Sequence, residues 1–324
     1  MRSIIVAGLL CGVALLPGTA AADDREAVSR LLEKMASAGQ SLNYTGAFTF
    51  VNGDKSWTMR IVHSFDKHGE REYLSTIAGE LREVYRDDHS LVSVIPDKEM
   101  LLIEEAGKRS AAGAFDRQFT TTSDFYDYYL DGTEEIAGYT CQVVSIVPRD
   151  SYRFGYRLCL EAESGLLLKS QVVDKAGQPK EQLIFNRLEL PEKSPDIRFS
   201  AAEYDWIADA GEPAVEPEPP NTLDLLPRWK LGWTPPGFEI TQDRTRIVPG
   251  SRTPVRHIVL DDGVATISVF IKQPGRGERY HASRESSGAL NTLMNIKQGF
   301  VVAVIGEVPE PTISAIYAGL EPAL

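Results

Sequence analysis

Short segments with a hydrophobic period of two, separated by turn residues, constrain this chain more than any other feature of its sequence. Alternating apolar and polar residues predict strands that bury one face. Turns such as Asn52-Gly53-Asp54 are too short to connect parallel strands, so an antiparallel meander is expected. Strand twist should curve this sheet strongly. The first predicted strands are 44–51, 57–65, 71–77, 81–86, 90–96 and 100–104.

A second set of strands follows a short aromatic segment. Residues 124–130 (DFYDYYL) are predicted to form a short helix with its aromatic residues on one side. An amphipathic helix at 24–39 precedes both sets and ends near Gly39. The expected fold is α+β, with a large half-open antiparallel β-barrel and helices. The strands of the second set are predicted at 140–147, 153–161, 166–174 and 180–189.

A proline-rich stretch divides the chain. Residues 211–221 (GEPAVEPEPPN) contain four prolines, three glutamates and no aromatic residue. This composition cannot build a core and favours an extended linker. After it, a helix capped by Thr312 is predicted at 311–320. The strands there are 229–233, 238–246, 256–260, 265–273 and 300–307, with a hairpin turn at 261–263. We expect a first domain at 23–208, a linker at 209–226 and a small α+β C-terminal domain at 227–324.

The first 22 residues predict export. Arg2 precedes an apolar run at 4–16, and Ala20-Ala21-Ala22 supplies the small residues of a signal peptidase site. The run is too short to span a bilayer, and Leu10 is unsuited to lipoprotein cleavage before Cys11. A cleavable signal peptide at 1–22 predicts a soluble protein that works outside the cytoplasm, in an oxidising space.

The charge is distributed unevenly along the chain. Residues 23–221 carry 22 basic and 36 acidic side chains, a net charge of −14. Residues 222–324 carry 11 basic and 10 acidic side chains, a net charge of +1. The acidic part argues against nucleic acid as a partner, although a requirement for solubility alone would also explain it.

Two cysteines remain after removal of the signal peptide. Cys141 and Cys159 lie in predicted strands on either side of Asp150. With the turn centred on Asp150 the two cysteines are directly opposed, which makes a cross-strand disulfide feasible. Two buried thiols are the alternative, and no Cys-x-x-Cys pattern indicates a redox enzyme. In this register Val144 faces Tyr156 and Ile146 faces Phe154.

Motifs for catalysis are missing from the sequence. The five histidines form no metal-binding spacing such as His-x-x-x-His. No Gly-x-Ser-x-Gly elbow is present, and Gly275-Arg276-Gly277 lacks the rest of a phosphate-binding loop. Adjacent carboxylates such as Glu104-Glu105 would point to opposite faces of a strand. We therefore expect a binding protein with no enzyme activity, no metal and no cofactor.

Two groups of residues are candidates for binding. Apolar side chains of the first strands would line the interior of an incompletely closed barrel, as a cavity for a long apolar ligand, or would only fill the core. Four arginines in a nearly neutral domain would meet phosphates or an acidic partner, or form an ordinary solvated face. The cavity residues are Phe48, Phe50, Trp57, Met59, Ile61 and Tyr73, and the arginines are Arg244, Arg246, Arg252 and Arg256.

Several stretches carry a family resemblance. They are GELREVYRDDHSLVSVIPD at 79–97, the segment 138–169 with VPRDSYRFGYRLCLEAESGLLLK, WTPPGF at 233–238, HIVLDDGVATISVFIK at 257–272 and VIGEVPEPTISAIYAGL at 304–320. The DDG turn between two strands, followed by GEVP and a terminal helix, is the most specific of these. In this order they resemble the RseB/MucB family of periplasmic regulators of the sigma-E envelope stress response, over nearly the whole mature chain.

The resemblance implies a fold and a role. The fold is a half-open β-barrel like that of the lipoprotein carriers LolA and LolB, followed by a smaller domain. The role is to bind the periplasmic part of a membrane-spanning anti-sigma factor and to shield it from a regulatory protease. Lipid signals, lipopolysaccharide or mislocalised lipoprotein, would displace the protein. Cys159 replaces an aromatic residue expected in the family, so a redox-sensitive variant is conceivable if it pairs with Cys141.

Other functions stay open at this point. A LolA-type carrier of lipid or lipoprotein fits the barrel, although the second domain argues against it. A secreted hydrolase built from dispersed residues is a further alternative, and a homodimer is left open. Because the linker separates two domains, ligand binding is expected to change their arrangement.

Overall fold

The N-terminal unit is one helix packed against an eleven-stranded antiparallel sheet. The computed structural model describes residues 19–98, 100–105, 123–197, 226–246, 253–275 and 279–323. Helix α1 spans Thr19–Ser41. The strands are β1 Tyr44–Asn52, β2 Lys55–Asp66, β3 Gly69–Ala78, β4 Glu83–Arg86, β5 Ser90–Ile95, β6 Met100–Glu105, β7 Tyr126–Ile136, β8 Tyr139–Pro148, β9 Gly155–Glu161, β10 Leu167–Val173 and β11 Pro179–Glu189.

The sheet curves around α1 without closing. Its order is β6-β5-β4-β3-β2-β1-β11-β10-β9-β8-β7, so β11 returns beside β1 and the described strands form no closed barrel. Helix α1 contacts both β7 and β2. These strands are six positions apart, roughly 29 Å in a flat sheet, so the sheet must bend to reach both sides of one helix. The α+β class and the large half-open antiparallel sheet are confirmed.

The helix predicted at 124–130 is wrong, because this segment begins strand β7. Tyr126 and Tyr128 are buried, whereas Tyr129 is 42% exposed. The aromatic residues therefore alternate between the two faces with a period of two. A seven-residue segment that is rich in tyrosine fits a helical or a strand period about equally well, and pairing with β8 decides between them.

Two hydrophobic cores stabilise the N-terminal unit. In the helix-side core, Val28, Leu32 and Met35 of α1 pack on side chains of β7–β10. Their spacing of four and three residues places them on one face of the helix. The cleft-side core lies mainly on the other part of the sheet. Its buried members are Ala38, Tyr44, Phe48, Ile61, Leu74, Val84, Ile136, Cys141, Val143, Cys159, Leu166, Leu168, Leu183, Phe185 and Leu188.

A disulfide joins Cys141 to Cys159 across β8 and β9, with the Cα atoms 5.4 Å apart. The predicted register is wrong by two residues. Cys141 is opposite Glu161 and Cys159 is opposite Val143, so the two cysteines are diagonal neighbours. The β8–β9 register centres the turn on residue 151, past Asp150, while the pairing of β8 with β7 continues to Arg149, whose N–H donates to the carbonyl of Phe125. Val144 consequently faces Leu158, and Ile146 faces Tyr156.

The C-terminal unit is a second antiparallel sheet covered by one helix. Helix α2 spans Glu310–Gly319, and its Ile313 and Ile316 are buried against the sheet. The six-stranded sheet has the order β13-β14-β15-β18-β17-β16, and β12 pairs with β19. The strands are β12 Trp229–Leu231, β13 Glu239–Arg246, β14 Val255–Asp261, β15 Thr266–Lys272, β16 Ser283–Ser287, β17 Leu290–Lys297, β18 Phe300–Gly306 and β19 Leu320–Pro322.

Some expectations fall partly or wholly outside the described residues. Of the predicted signal peptide, only 19–22 are described, as the start of α1. Of the predicted linker at 209–226, only Leu226 is described, and it is buried. Among the described residues, no helix combines the length and the apolar character needed to cross a membrane.

A buried polar cluster lies at the far end of β2–β4. Glu70 forms an ion pair with Arg86, and its carboxylate lies 3.1 Å from Nε2 of His63. The other ring nitrogen of His63 is 2.6 Å from the carbonyl oxygen of Leu42, just after α1. Burial raises the pKa of the Glu70 carboxyl, but the hydrogen bond from His63 and the charge of Arg86 outweigh this effect, so its pKa lies below the ordinary value. This cluster fixes the end of α1 to the sheet.

The disulfide can be tested by thiol counting. We expect no thiol to react when the denatured, unreduced mature chain from Asp23 is titrated, because Cys141 and Cys159 are bonded. Reduction should lower the free energy of unfolding by about 3 kcal/mol, the value expected for a closed loop of this length. Two reactive thiols before reduction would rule out the bridge.

The polar cluster predicts a pH-dependent stability. Glu70→Gln should lower the free energy of unfolding by about 2–3 kcal/mol near pH 7, because the buried Arg86 guanidinium loses its anion. Since the folded-state pKa of Glu70 is depressed, its contribution is present above the ordinary pKa and is lost as the pH falls through the folded value. Urea unfolding between pH 7 and pH 3 measures both effects.

Glu189→Gln serves as the matched control, since Glu189 pairs with Arg187 on the surface. The control should change stability little, because exposed ion pairs contribute little. Equal effects of the two substitutions would contradict the role given to the buried cluster.

Candidate functional site

An apolar cleft opens on the inner face of the first five strands. Its volume is about 270 Å³, slightly below the usual range of small-molecule sites. The described groups around it are mostly aliphatic or aromatic. The lining side chains are Phe48 and Phe50 of β1, Trp57 and Met59 of β2, Leu74 and Thr76 of β3, Val84 of β4, Ile95 of β5, and Glu80, Leu81 and Arg82 of the β3–β4 connection.

Strand register places the aromatic residues together. Phe48 is opposite Met59 and Phe50 is opposite Trp57, so all four side chains project from one face of the β1–β2 pair. The rings of Phe50 and Trp57 stack with their centroids 6.0 Å apart. These contacts give the cleft an aromatic wall.

The β3–β4 connection forms the rim of the cleft. Gly79 has a φ of +119°, and a Cβ there would lie 2.7 Å from the Trp57 ring, so the turn requires glycine. The Thr76 N–H donates to the Arg82 carbonyl, and the Arg82 N–H donates to the Thr76 hydroxyl. This closed turn presents Leu81, half exposed, at the mouth of the cleft.

Arg82 is a positive group of the cleft lining. Its Nη2 donates to the Ser93 hydroxyl on β5, at 3.3 Å. The guanidinium thus lies at the boundary between the apolar interior and the solvent, where Glu80 also contributes to the lining. A guanidinium in this position can meet an anionic or polar end group, while the aromatic wall contacts an apolar chain.

Four of the six predicted cavity residues line this cleft, namely Phe48, Phe50, Trp57 and Met59. Ile61 continues the same face of β2 but is fully buried in the cleft-side core. Tyr73 pairs with Val62, whereas Leu74 pairs with Ile61, so Tyr73 lies on the opposite face of the sheet. An offset of one residue along a strand changes the face.

Sequence reasoning missed several lining residues. Leu74, Val84 and Ile95 come from β3, β4 and β5, and the 80–82 turn forms the rim. The alternation of Leu74 and Thr76 could have indicated their shared face, since Leu74 is opposite Ile61 and Thr76 is opposite Met59. The rim gave no such signal because a turn has no hydrophobic period.

The four arginines do not converge into a described site. Arg256 is largely buried and holds Asp243 through two bonds, Nε to Oδ1 at 2.7 Å and Nη2 to Oδ2 at 2.6 Å. Its expected role toward a partner is corrected accordingly, because its fork is used within the fold. Arg244 is exposed on the edge strand β13. Arg252 and the side chain of Arg246 lie outside the described part of the structure.

The described part of the chain contains no group of three or more His, Cys, Asp or Glu side chains arranged to hold a metal ion. The titratable groups with lowered pKa are explained by turn or ion-pair contacts. Asp87, for example, accepts the N–H groups of His89 and Ser90, which lower the pKa of its carboxyl against the opposing effect of burial.

Comparison with known proteins gives matches along nearly the whole chain. The model of the MucB/RseB N-terminal domain matches residues 27–203, and that of the MucB/RseB C-terminal domain matches residues 225–321. The sigma factor AlgU regulatory protein MucB of Pseudomonas aeruginosa is 28% identical and is aligned over 99% of this chain and 98% of its own length. The sigma-E factor regulatory protein RseB of Haemophilus influenzae is 23% identical, with 98% of both chains aligned.

A solved structure agrees with these matches. The complex of Pseudomonas aeruginosa MucA and MucB superposes with a TM-score of 0.67 at 25% identity, over 92% of this chain and 99% of the matched chain. Both units of the present fold fall within the aligned length. The protein therefore belongs to the MucB/RseB family.

Proposed function

We propose that this protein is a periplasmic regulator of a sigma-E-type stress response. It binds the periplasmic part of a membrane-spanning anti-sigma factor and shields that partner from regulated proteolysis. The observation that carries the proposal is the superposition on MucB from its complex with MucA, which includes 99% of the matched chain. Nearly the whole length of the matched chain therefore has a structural counterpart in this protein.

The names of the relatives support a regulatory role. Both are named as regulatory proteins of sigma factors, and each is aligned with this chain over almost its full length. The predicted signal peptide at 1–22 supports a periplasmic location, where the exported part of a membrane protein is accessible. We propose the same division into a domain at 23–208, a linker at 209–226 and a domain at 227–324, which is supported by family models that match 27–203 and 225–321.

The edge strand β13 is a candidate part of the partner surface. Ile240, which is 53% exposed, and Arg244 lie along this strand. A strand at the edge of a sheet also offers backbone hydrogen-bonding groups to an added peptide. Arg244 and Arg246 are retained as candidates for contact with acidic groups of the partner, and Arg256 is not.

A lipid-type ligand is the second part of the proposal, and the cleft is the observation that favours it. A cavity of about 270 Å³ admits one apolar chain end beside the aromatic wall, with a polar end near Arg82. Lipopolysaccharide or a mislocalised lipoprotein could supply such a chain. A ligand of this kind releases the partner only if it binds the partner-free state more tightly.

The function proposal is tested by binding of the mature protein to the periplasmic segment of the anti-sigma factor from the same cell. We expect a stable complex in a pull-down, and slower cleavage of the segment by the first regulatory protease when the complex is present. A scrambled segment of the same composition is the control. Failure to bind in lipid-free buffer would contradict the proposal.

The cleft is tested by titration with lysophosphatidylglycerol, followed by calorimetry. Met59→Trp should weaken binding about tenfold, because the larger side chain takes up space in the cleft. A loss of roughly 60 Å² of buried apolar ligand surface is worth about 1.5 kcal/mol. Ile296→Trp is the matched control, since Ile296 is exposed on β17 of the other unit. Equal affinities of the two variants would place any lipid site outside the cleft.

A further inference from the structure

The two units meet through turns rather than through their sheet faces. The β8–β9 connection of the N-terminal unit carries Arg153, and the β14–β15 turn of the C-terminal unit carries Asp262. The side chains of both residues are completely buried, and Arg153 Nη1 is 2.8 Å from Asp262 Oδ2. A buried ion pair therefore spans the joint between the units.

Arg153 contacts groups of both units. Its Nη2 donates to the carbonyl of Pro236 in the C-terminal unit at 2.5 Å, and its Nε is 3.3 Å from Asp150 Oδ1 in its own loop. Three rings surround the guanidinium, with their centroids 4.7–5.6 Å from its central carbon. These rings are Phe125 and Tyr126 of the N-terminal unit and Phe238 of the C-terminal unit, so the cation lies within an aromatic cage built by both units.

The two carboxylate oxygens of Asp262 make different contacts. Its Oδ1 accepts the N–H groups of Val264 and Ala265, at 2.9 and 2.7 Å, which fixes the hairpin turn of its own unit. Its Oδ2 faces Arg153 and lies 3.4 Å from the Tyr126 hydroxyl, which donates to it. The position of the anion is thus set by the fold of the C-terminal unit, independently of the cation that it meets.

Other contacts at the joint are of modest strength, and one of them is a hydrogen bond from the Ser287 hydroxyl to Asn52 Oδ1 at 3.2 Å. The Thr312 hydroxyl of α2 donates to the Tyr152 carbonyl at 2.9 Å, and this contact replaces its expected role as a helix cap. Tyr152 meets Trp233 edge to face, with the ring centroids 5.3 Å apart. Ala289 and Val264 extend the helix-side core from the other unit. Apolar packing of this kind tolerates small displacements, whereas a buried ion pair loses Coulomb energy as soon as its two charges move apart.

The ion pair makes the joint specific without making it strong. Burial raises the pKa of the Asp262 carboxyl above its ordinary value, although the Val264 and Ala265 N–H groups and Arg153 act in the opposite direction. The ionised carboxylate is therefore less favourable in the closed joint than in water, and opening the joint rehydrates both charges. Buried pairs of this type define an arrangement more than they stabilise it.

We propose that Arg153 and Asp262 form a latch that holds the two units in a single arrangement and releases them as a whole when the pair is broken. Both residues of the latch lie at the joint between the units, so the proposal does not depend on which partner or lipid the protein binds. The latch then decides whether the units separate.

A double-mutant cycle tests the latch. Asp262→Asn keeps an oxygen for the hairpin turn and removes the charge, while Arg153→Met removes the cation and keeps an apolar stem. Each single variant should raise hydrogen exchange at least tenfold in 150–153 and 262–265 and increase the radius of gyration in small-angle scattering. The double variant should open less than either single variant, because no unpaired charge remains buried.

Arg284→Met is the matched control, because Arg284 and Glu310 pair on the surface within the C-terminal unit. It should leave scattering and exchange at the joint unchanged. A single variant that fails to fold is recognised by circular dichroism. In that case, recovery of the fold in the double variant shows the coupling between Arg153 and Asp262. Wild-type scattering and exchange in both single variants, or a double variant as open as the sum of the singles, would overturn the proposal.

Discussion

The packing of a single helix inside a curved sheet determines which part of the N-terminal unit is a closed core and which part is open. An eleven-stranded sheet has one large concave face, and α1 can cover only part of it. Val28, Leu32 and Met35 cover the part formed by β7–β10. On β1–β5, within the residues that the structure describes, the inner face carries an open apolar cleft. The unequal cover explains why the sheet has a packed half and a half suited to binding.

The C-terminal unit contributes side chains to the helix-side core of the N-terminal unit. Ala289 and Val264 extend the helix-side core, so residues of both units share one hydrophobic cluster. The buried pair of Arg153 and Asp262 then fixes the rotation of one unit against the other. A protein that must offer a partner one composite surface needs such a defined arrangement, and one that must release the partner needs a joint of limited strength.

Much of this architecture could be predicted from the sequence, because strands of period two and short turns act locally. The strands near 44–51 and 300–307 and the hairpin turn at 261–263 required only neighbouring residues. What failed depended on distant partners. The segment 124–130 became a strand through pairing with β8, and Cys141 lies opposite Glu161 instead of Cys159. Neither pairing can be identified from alternation alone.

The candidate site shows the same division. Phe50 and Trp57 were found because they alternate within adjacent strands, whereas the rim at 80–82 has no such pattern. The sequence alone suggested that Arg256 was available to a partner, whereas in the structure its guanidinium binds Asp243. Arg153 and Asp262 are 109 positions apart in the sequence, and no local feature distinguishes either from an ordinary turn residue. Long-range charge pairing is a property of the assembled fold.

We propose that the anti-sigma factor contacts both units, because the MucB/RseB match includes both of them. Hydrogen exchange of the protein, with and without the periplasmic segment of that factor, tests this most directly. We expect reduced exchange within both 27–203 and 225–321 when the segment binds. Protection confined to one of these ranges, or no protection at all, would contradict it.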